Sequence, residues 1–143
     1  MKNHQFEICL RLIIIDKNKI LLCRDIKNQH YFFPGGHLEF GEDIFGALKR
    51  EMKEEQGVAL LNIDFIGAVD NIYFRKKSKH HEINLVFKGK VSKVHEQSKE
   101  KHISFRLFNI KDLPKVEILP ENLKKSVIRW LKDKKVFWAG KLK

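Results

Sequence analysis

Between Gly36 and Val58 the chain reads GHLEFGEDIFGALKREMKEEQGV, and few structures accommodate such a stretch. Glu51, Glu54 and Glu55 are spaced so that Glu54 follows Glu51 by three residues and Glu55 by four. Those spacings put side chains on one face of an α-helix. Three carboxylates on one face repel each other unless a cation sits among them. An oxygen-rich set of this kind suits a hard divalent ion such as Mg²⁺ or Mn²⁺. Pro34-Gly35-Gly36 leads into the segment, and backbone without side chains can approach a phosphate or an ion closely. Carboxylates, a hard ion and a tight loop together point to chemistry on a phosphate or pyrophosphate.

The helix is expected to begin near Glu42 or Asp43 and to end near Gln56. Asp43 suits an N-cap or first-turn acid, and Gly57 suits a left-handed C-terminal glycine. At about 100° per residue, Ile44, Phe45, Leu48 and Met52 form one apolar arc. The three glutamates occupy the arc beside it. Carboxylates bordering a buried seam are costly unless they are paired or bind metal.

Around this helix the chain reads as strands. Phe6 to Ile15 is expected as one long strand, Asp16 to Lys19 as a turn and Ile20 to Arg24 as the hairpin partner. Tyr31 to Phe33 is a short strand stopped by Pro34. Leu60 to Val69 and Asn71 to Phe74 read as strand, Arg75 to His80 as a basic loop, Glu82 to Val91 as a strong strand and Ile103 to Phe108 as another. Leu123, Val127, Trp130 and Leu131 recur at helical spacing, so residues from Pro120 to Lys132 form an amphipathic helix with Pro120 in its first turn.

With 143 residues, the chain is expected to be one domain able to bury a core without covalent staples. Cys9 and Cys23 lie in apolar runs, and with no secretory leader read they are expected as reduced, buried thiols. The apolar start is interrupted by Arg11 and ended by Asp16, too short for a membrane span. No membrane partner and a cytoplasmic location are therefore expected. The net charge of +11 is dispersed over Arg75 to Lys79, Lys124-Lys125 and the tail from Lys132 to Lys143. Dispersed charge argues for steering of a polyanionic substrate more than for a shaped nucleic-acid groove.

The 36–58 stretch resembles the signature of the Nudix hydrolases, G-x5-E-x7-R-E-U-x-E-E-x-G-U, where U is an aliphatic or similar apolar residue. Gly36, Glu42, Arg50-Glu51, Met52, Glu54-Glu55, Gly57 and Val58 fill every specified position. The extended form FPGGHLEFGE is similar to the MutT-like branch. The resemblance implies an α/β (α+β) Nudix fold, a mixed sheet between helices in an α/β/α sandwich, with residues 1–143 as a single domain.

It also implies roles. Glu51, Glu54 and Glu55 would bind the divalent ion, Mg²⁺ or Mn²⁺, with the backbone carbonyl of Gly35. Glu54 or Glu51 would serve as general base toward a water that the metal acidifies. Arg50 would orient the glutamates, Glu42 especially, through its guanidinium fork. A further acid from outside the motif would be Glu100, Glu82 or Glu96, with Glu100 the leading candidate.

His37 and Glu39 are candidates to meet substrate. Phe6, Phe33, Tyr73, Phe74, Phe105 and Phe108 are candidates for a base slot, though most are better read as core. His80 and His81 are adjacent in a strand-like run, so at most one of them faces the cleft.

The implied activity is metal-dependent hydrolysis of a pyrophosphate bond in a nucleoside diphosphate linked to another group. A nucleoside triphosphate or a modified nucleotide leads as substrate. The alternatives are a non-catalytic nucleotide- or RNA-binding member and an RNA 5′-end pyrophosphohydrolase. Nucleic acid is the lesser partner, and a homodimer is left open by analogy alone.

Overall fold

The apolar run near the start of the chain does not stay in one sheet. The computed structural model describes residues 5–140, so residues 141–143 of the basic tail lie outside the described residues. Strand β1 (Gln5–Ile13) belongs to a larger sheet and β2 (Ile15–Asp16) to a smaller one. Where one strand was expected through Ile15, the chain changes sheets at Ile14. The reason is burial on both sides. Ile13 packs into one core and Ile14 into the other, and both are almost wholly buried.

After β3 (Lys19–Asp25) comes β4 (Gly35–His37), then α1 (Ile44–Gln56), β5 (Leu60–Arg75) and β6 (Ser78–Val91). The chain continues through β7 (Ile103–Asn109), a 3₁₀ segment (Ile110–Lys115), α2 (Glu121–Asp133) and β8 (Phe137–Ala139). The larger sheet has the order β4-β1-β6-β5-β8 and the smaller β2-β3-β7. In the larger sheet β1 and β6 run parallel while β5 and β6 run antiparallel, so it is mixed.

Alternating side chains feed two cores. Leu10, Leu12 and Phe87 pack with Ala47, Leu48 and Met52 of α1. Ile13, Val69 and Val86 pack with Leu123, Val127 and Trp130 of α2. The smaller sheet serves both, sending Leu21 and Cys23 to the first and Ile20 and Leu22 to the second. The result is the expected mixed α/β sandwich, built on two sheets rather than one.

Several elements depart from the local reading. The basic loop expected from Arg75 to His80 is a two-residue turn at Lys76-Lys77, because β5 and β6 stay paired out to Arg75 and Ser78. The break expected at Asp70 is absent for the same reason. Tyr31 and Phe32 make only isolated bridges, to Ile118 and Cys23. β4 and β8 have weak local signals and exist through pairing with β1 and β5. Pro120 caps α2 from outside instead of occupying its first turn. Among the described residues no helix is long and apolar enough to cross a membrane.

Candidate active site

Helix α1 is anchored at both ends as its sequence demands. The Asp43 carboxylate accepts from the Gly46 amide at 2.7 Å. Gly57 closes the helix at φ 71°, its amide donating to the Lys53 carbonyl at 2.9 Å. Leu48 and Met52 are fully buried, which fixes the rotation of the helix. The acidic ridge is thereby turned toward β4.

Contact with β4 is close. A Cβ on Gly36 would lie 2.8 Å from the Glu51 carboxyl carbon, so only glycine leaves that carboxylate in place. Gly35 has φ 151°, and a Cβ there would lie 1.8 Å from the Leu10 carbonyl oxygen. Gly35 therefore requires glycine, whereas a side chain at position 36 would have to displace the Glu51 carboxylate.

Arg50 gathers three of the carboxylates. Its Nη2 donates to both Glu42 oxygens at 3.3 and 3.2 Å, and its Nη1 to Glu51 at 3.1 Å and Glu54 at 3.5 Å. Glu42 also accepts from the Glu39 amide at 2.9 Å. That bond, followed by Arg50, holds the Glu42 carboxyl below its ordinary pKa. The Glu42 bond in turn raises the proton affinity of Arg50.

Glu55 is in a different state. Its Oε2 is buried with no hydrogen-bond partner. Burial first, then Glu51 and Glu100, push its pKa up to about 8, with Arg11 opposing. An anionic cluster with a buried, partnerless oxygen is short of positive charge. A hard divalent cation meets that need with oxygen donors alone, so these residues fit such an ion.

Glu100 reaches this neighbourhood because the 92–102 loop is tied to the end of α1. The Gln56 side-chain amide donates to the carbonyls of His95 at 2.8 Å and Gln97 at 3.2 Å, and the Lys99 amide donates to the Glu55 carbonyl at 2.7 Å. Of the other two outside acids, Glu96 accepts from the Leu107 amide at 2.9 Å. Glu82 is buried on the far face of the sheet, accepting from Asn71, Asn84 and the Cys9 thiol. Neither is directed at α1.

A cavity of about 620 Å³ opens at the α2 side, lined among others by Arg11, Phe32, Asn71, Tyr73, Phe74 and Glu82. Arg11 connects it to the acidic ridge: it lines the cavity, bonds the Asn84 side chain and the Phe33 carbonyl, and lowers the proton affinity of Glu55. Of the aromatic candidates, Tyr73 and Phe74 face this space, whereas Phe33 and Phe105 are core. Phe6 is exposed against His81, and Phe108 packs on Tyr31. His80 stacks on Tyr73 while His81 pairs with Asp70 at 2.6 Å, on opposite faces as strand geometry requires. His37 lies 3.4 Å from Glu7, and Glu39 contributes its backbone amide.

Gln56 fills an unspecified position of the 36–58 stretch and Asn71 and Asn84 lie outside it, so nothing in the sequence signals the bonds these three side chains make. Arg11 did leave a signal, being a charge set inside an apolar strand.

The NUDIX domain profile matches residues 8–131. An 8-oxo-dGTP diphosphatase of Buchnera aphidicola (subsp. Acyrthosiphon pisum) is 39% identical over 67 residues, which cover 46% of this chain and 54% of that protein. The alignment thus spans about half of that relative. An ADP-ribose pyrophosphatase of Methanocaldococcus jannaschii is 32% identical over 127 residues, covering 82% of this chain and 70% of its own. In structure, a MutT protein from Methanosarcina mazei Go1 superposes with a TM-score of 0.72 at 24% identity, covering 91% of this chain and 96% of that one. That likeness speaks for the fold. With the profile spanning most of its length, the chain belongs to the NUDIX domain family.

Proposed function

We propose that this protein hydrolyses a pyrophosphate bond in a nucleoside diphosphate linked to another group, with a nucleoside triphosphate or a modified nucleotide as the preferred substrate. The observation that carries this reading is the Arg50 clamp on Glu42, Glu51 and Glu54 beside the partnerless Glu55 oxygen. Relatives named 8-oxo-dGTP diphosphatase and ADP-ribose pyrophosphatase support a nucleotide pyrophosphate as the substrate class.

Glu51, Glu54 and Glu55, with the Gly35 carbonyl and Glu100, would hold the divalent ion. When bound, Mg²⁺ or Mn²⁺ supplies neutralisation of phosphate charge and acidification of water. The chain's own residues do the rest. Glu54 or Glu51 takes the proton as water attacks phosphorus, and the bridging P–O bond breaks toward the departing phosphate. Arg50 keeps the carboxylates aimed, and its fork leaves them little rotational freedom. A nucleoside triphosphate yields the monophosphate and pyrophosphate, and a conjugate yields two monophosphates. The cavity at Tyr73 and Phe74 has the size and aromatic lining to take a base.

The test is product analysis across ordinary and oxidised nucleoside triphosphates and nucleotide conjugates, with Mg²⁺ or Mn²⁺ and with Glu54→Gln as the blank. A general base contributes on the order of 10²–10⁴-fold, so Glu54→Gln, which removes a carboxylate proposed both to hold the ion and as one of the two candidates for the proton, should lose kcat on that scale while keeping its thermal midpoint. Equal turnover by Glu54→Gln, or no nucleotide turned over by the wild type, refutes the proposal. In the second case, RNA affinity that falls steeply with salt marks a binding member instead.

A further inference from the structure

A second set of ligating side chains lies across the sheet from the acidic ridge. Glu7, Cys9 and His37 each offer one atom, and these atoms lie within 4.8 Å of one another. The strand pattern brings them together. Glu7 and Cys9 are two residues apart on β1, so they share a face. His37 on β4 is the direct cross-strand partner of Cys9. Their neighbours Ile8 and Leu10 point the other way, into the core beneath α1. Gly36 likewise faces Glu51, so His37 faces away from it. The set is therefore separate from the Arg50 cluster.

We propose that Glu7, Cys9 and His37 form a binding site for a borderline-soft divalent ion of the zinc class. Nitrogen and sulfur donors select Zn²⁺ or Co²⁺ over Mg²⁺, which takes oxygen. Around a tetrahedral zinc with bonds of roughly 2.0–2.3 Å, ligand atoms stand about 3.3–3.8 Å apart. His37 Nε2 and Glu7 Oε2 are already 3.4 Å apart. The other separations are no more than 4.8 Å, and the imidazole of His37 is 58% exposed. Cys9 is fully buried, so the sulfur is shielded from bulk solvent. Glu82 Oε2 stands 3.5 Å behind the sulfur, and the Arg11 guanidinium opposes its charge there.

Coordination requires the thiolate, so binding displaces the Cys9 proton to solvent. A bound ion would staple β4 to β1. It would thereby fix the strand that carries Gly35 and Gly36 to the acidic helix.

Cobalt spectroscopy on the full chain tests this, with excess Mg²⁺ present to occupy the glutamate ridge. One equivalent of Co²⁺ should give a sulfur-to-cobalt charge-transfer band that Zn²⁺ abolishes by displacement. Cys9→Ser should remove the band, Cys23→Ser should keep it, and His37→Ala should weaken Co²⁺ affinity at least tenfold. Should buried Cys9→Ser fail to fold, His37→Ala and Glu7→Gln, both at partly exposed positions, decide the matter alone. Absence of the band in the wild type overturns the proposal. Unchanged affinity in both His37→Ala and Glu7→Gln does so too.

Discussion

At the scale of single residues, Arg50 and Glu55 divide the site into a neutralised part and an unneutralised one. Arg50 spreads one guanidinium over Glu42, Glu51 and Glu54. Lysine cannot reproduce that, because an ammonium is a single point charge with no fork. Arg50→Lys is expected to lower kcat/KM about 10- to 100-fold, roughly 1.4–2.7 kcal/mol of transition-state stabilisation. The thermal midpoint should barely move, since lysine keeps the positive charge and ion pairs partly open to solvent add little to stability. Steady-state kinetics beside a melting curve reads both. Glu55 behaves oppositely. Burial and its acidic neighbours raise its pKa from 4.5 to about 8. A raised folded pKa means that the folded state holds the proton more tightly than the unfolded chain. Its contribution to stability is complete below pH 4.5 and is lost as pH climbs through about 8. In chelator, the wild type should therefore lose stability relative to Glu55→Gln across that window, and Mg²⁺ should close the gap. Parallel melting curves from acid to alkaline pH count against this.

At the scale of elements, helix α1 was legible almost to the residue because its signals are local. Asp43, Gly57, Leu48 and Met52 act within one or two turns of the chain. The β5–β6 hairpin was not legible at its tip. Lys76 and Lys77 adopt φ of 49° and 65°, the left-handed region that a two-residue hairpin turn needs and lysine disfavours. Long pairing on both sides of the turn overrides that preference. Lys76→Asn combined with Lys77→Gly should raise the unfolding free energy by about 1 kcal/mol, seen as a higher denaturant midpoint at unchanged slope. A fall in the midpoint would mean that the two lysines contribute something other than turn geometry.

At the scale of the molecule, net charge and layering act together. The chain carries a formal net charge of +11 together with an acidic ridge on α1, and a net positive field draws polyanions in from a distance. Raising ionic strength from about 0.01 M to about 0.15 M shortens the screening length from roughly 30 to 8 Å. kcat/KM for a nucleotide should then fall severalfold while kcat stays level. Equal decline of both in stopped-flow or steady-state assays would remove steering from the account.

The sequence by itself determined the acidic helix, its caps, the glycine lead-in and the family. Each of these rests on residues within a few turns of each other, where spacing dictates geometry. Tertiary structure decided what distant segments do when packed: the change of sheet at Ile14, the pairing of β4 and β8, the delivery of Glu100 through Gln56, and the meeting of Glu7, Cys9 and His37. Those outcomes depend on strand register and shared burial, which arise only when separated stretches compete for the same core.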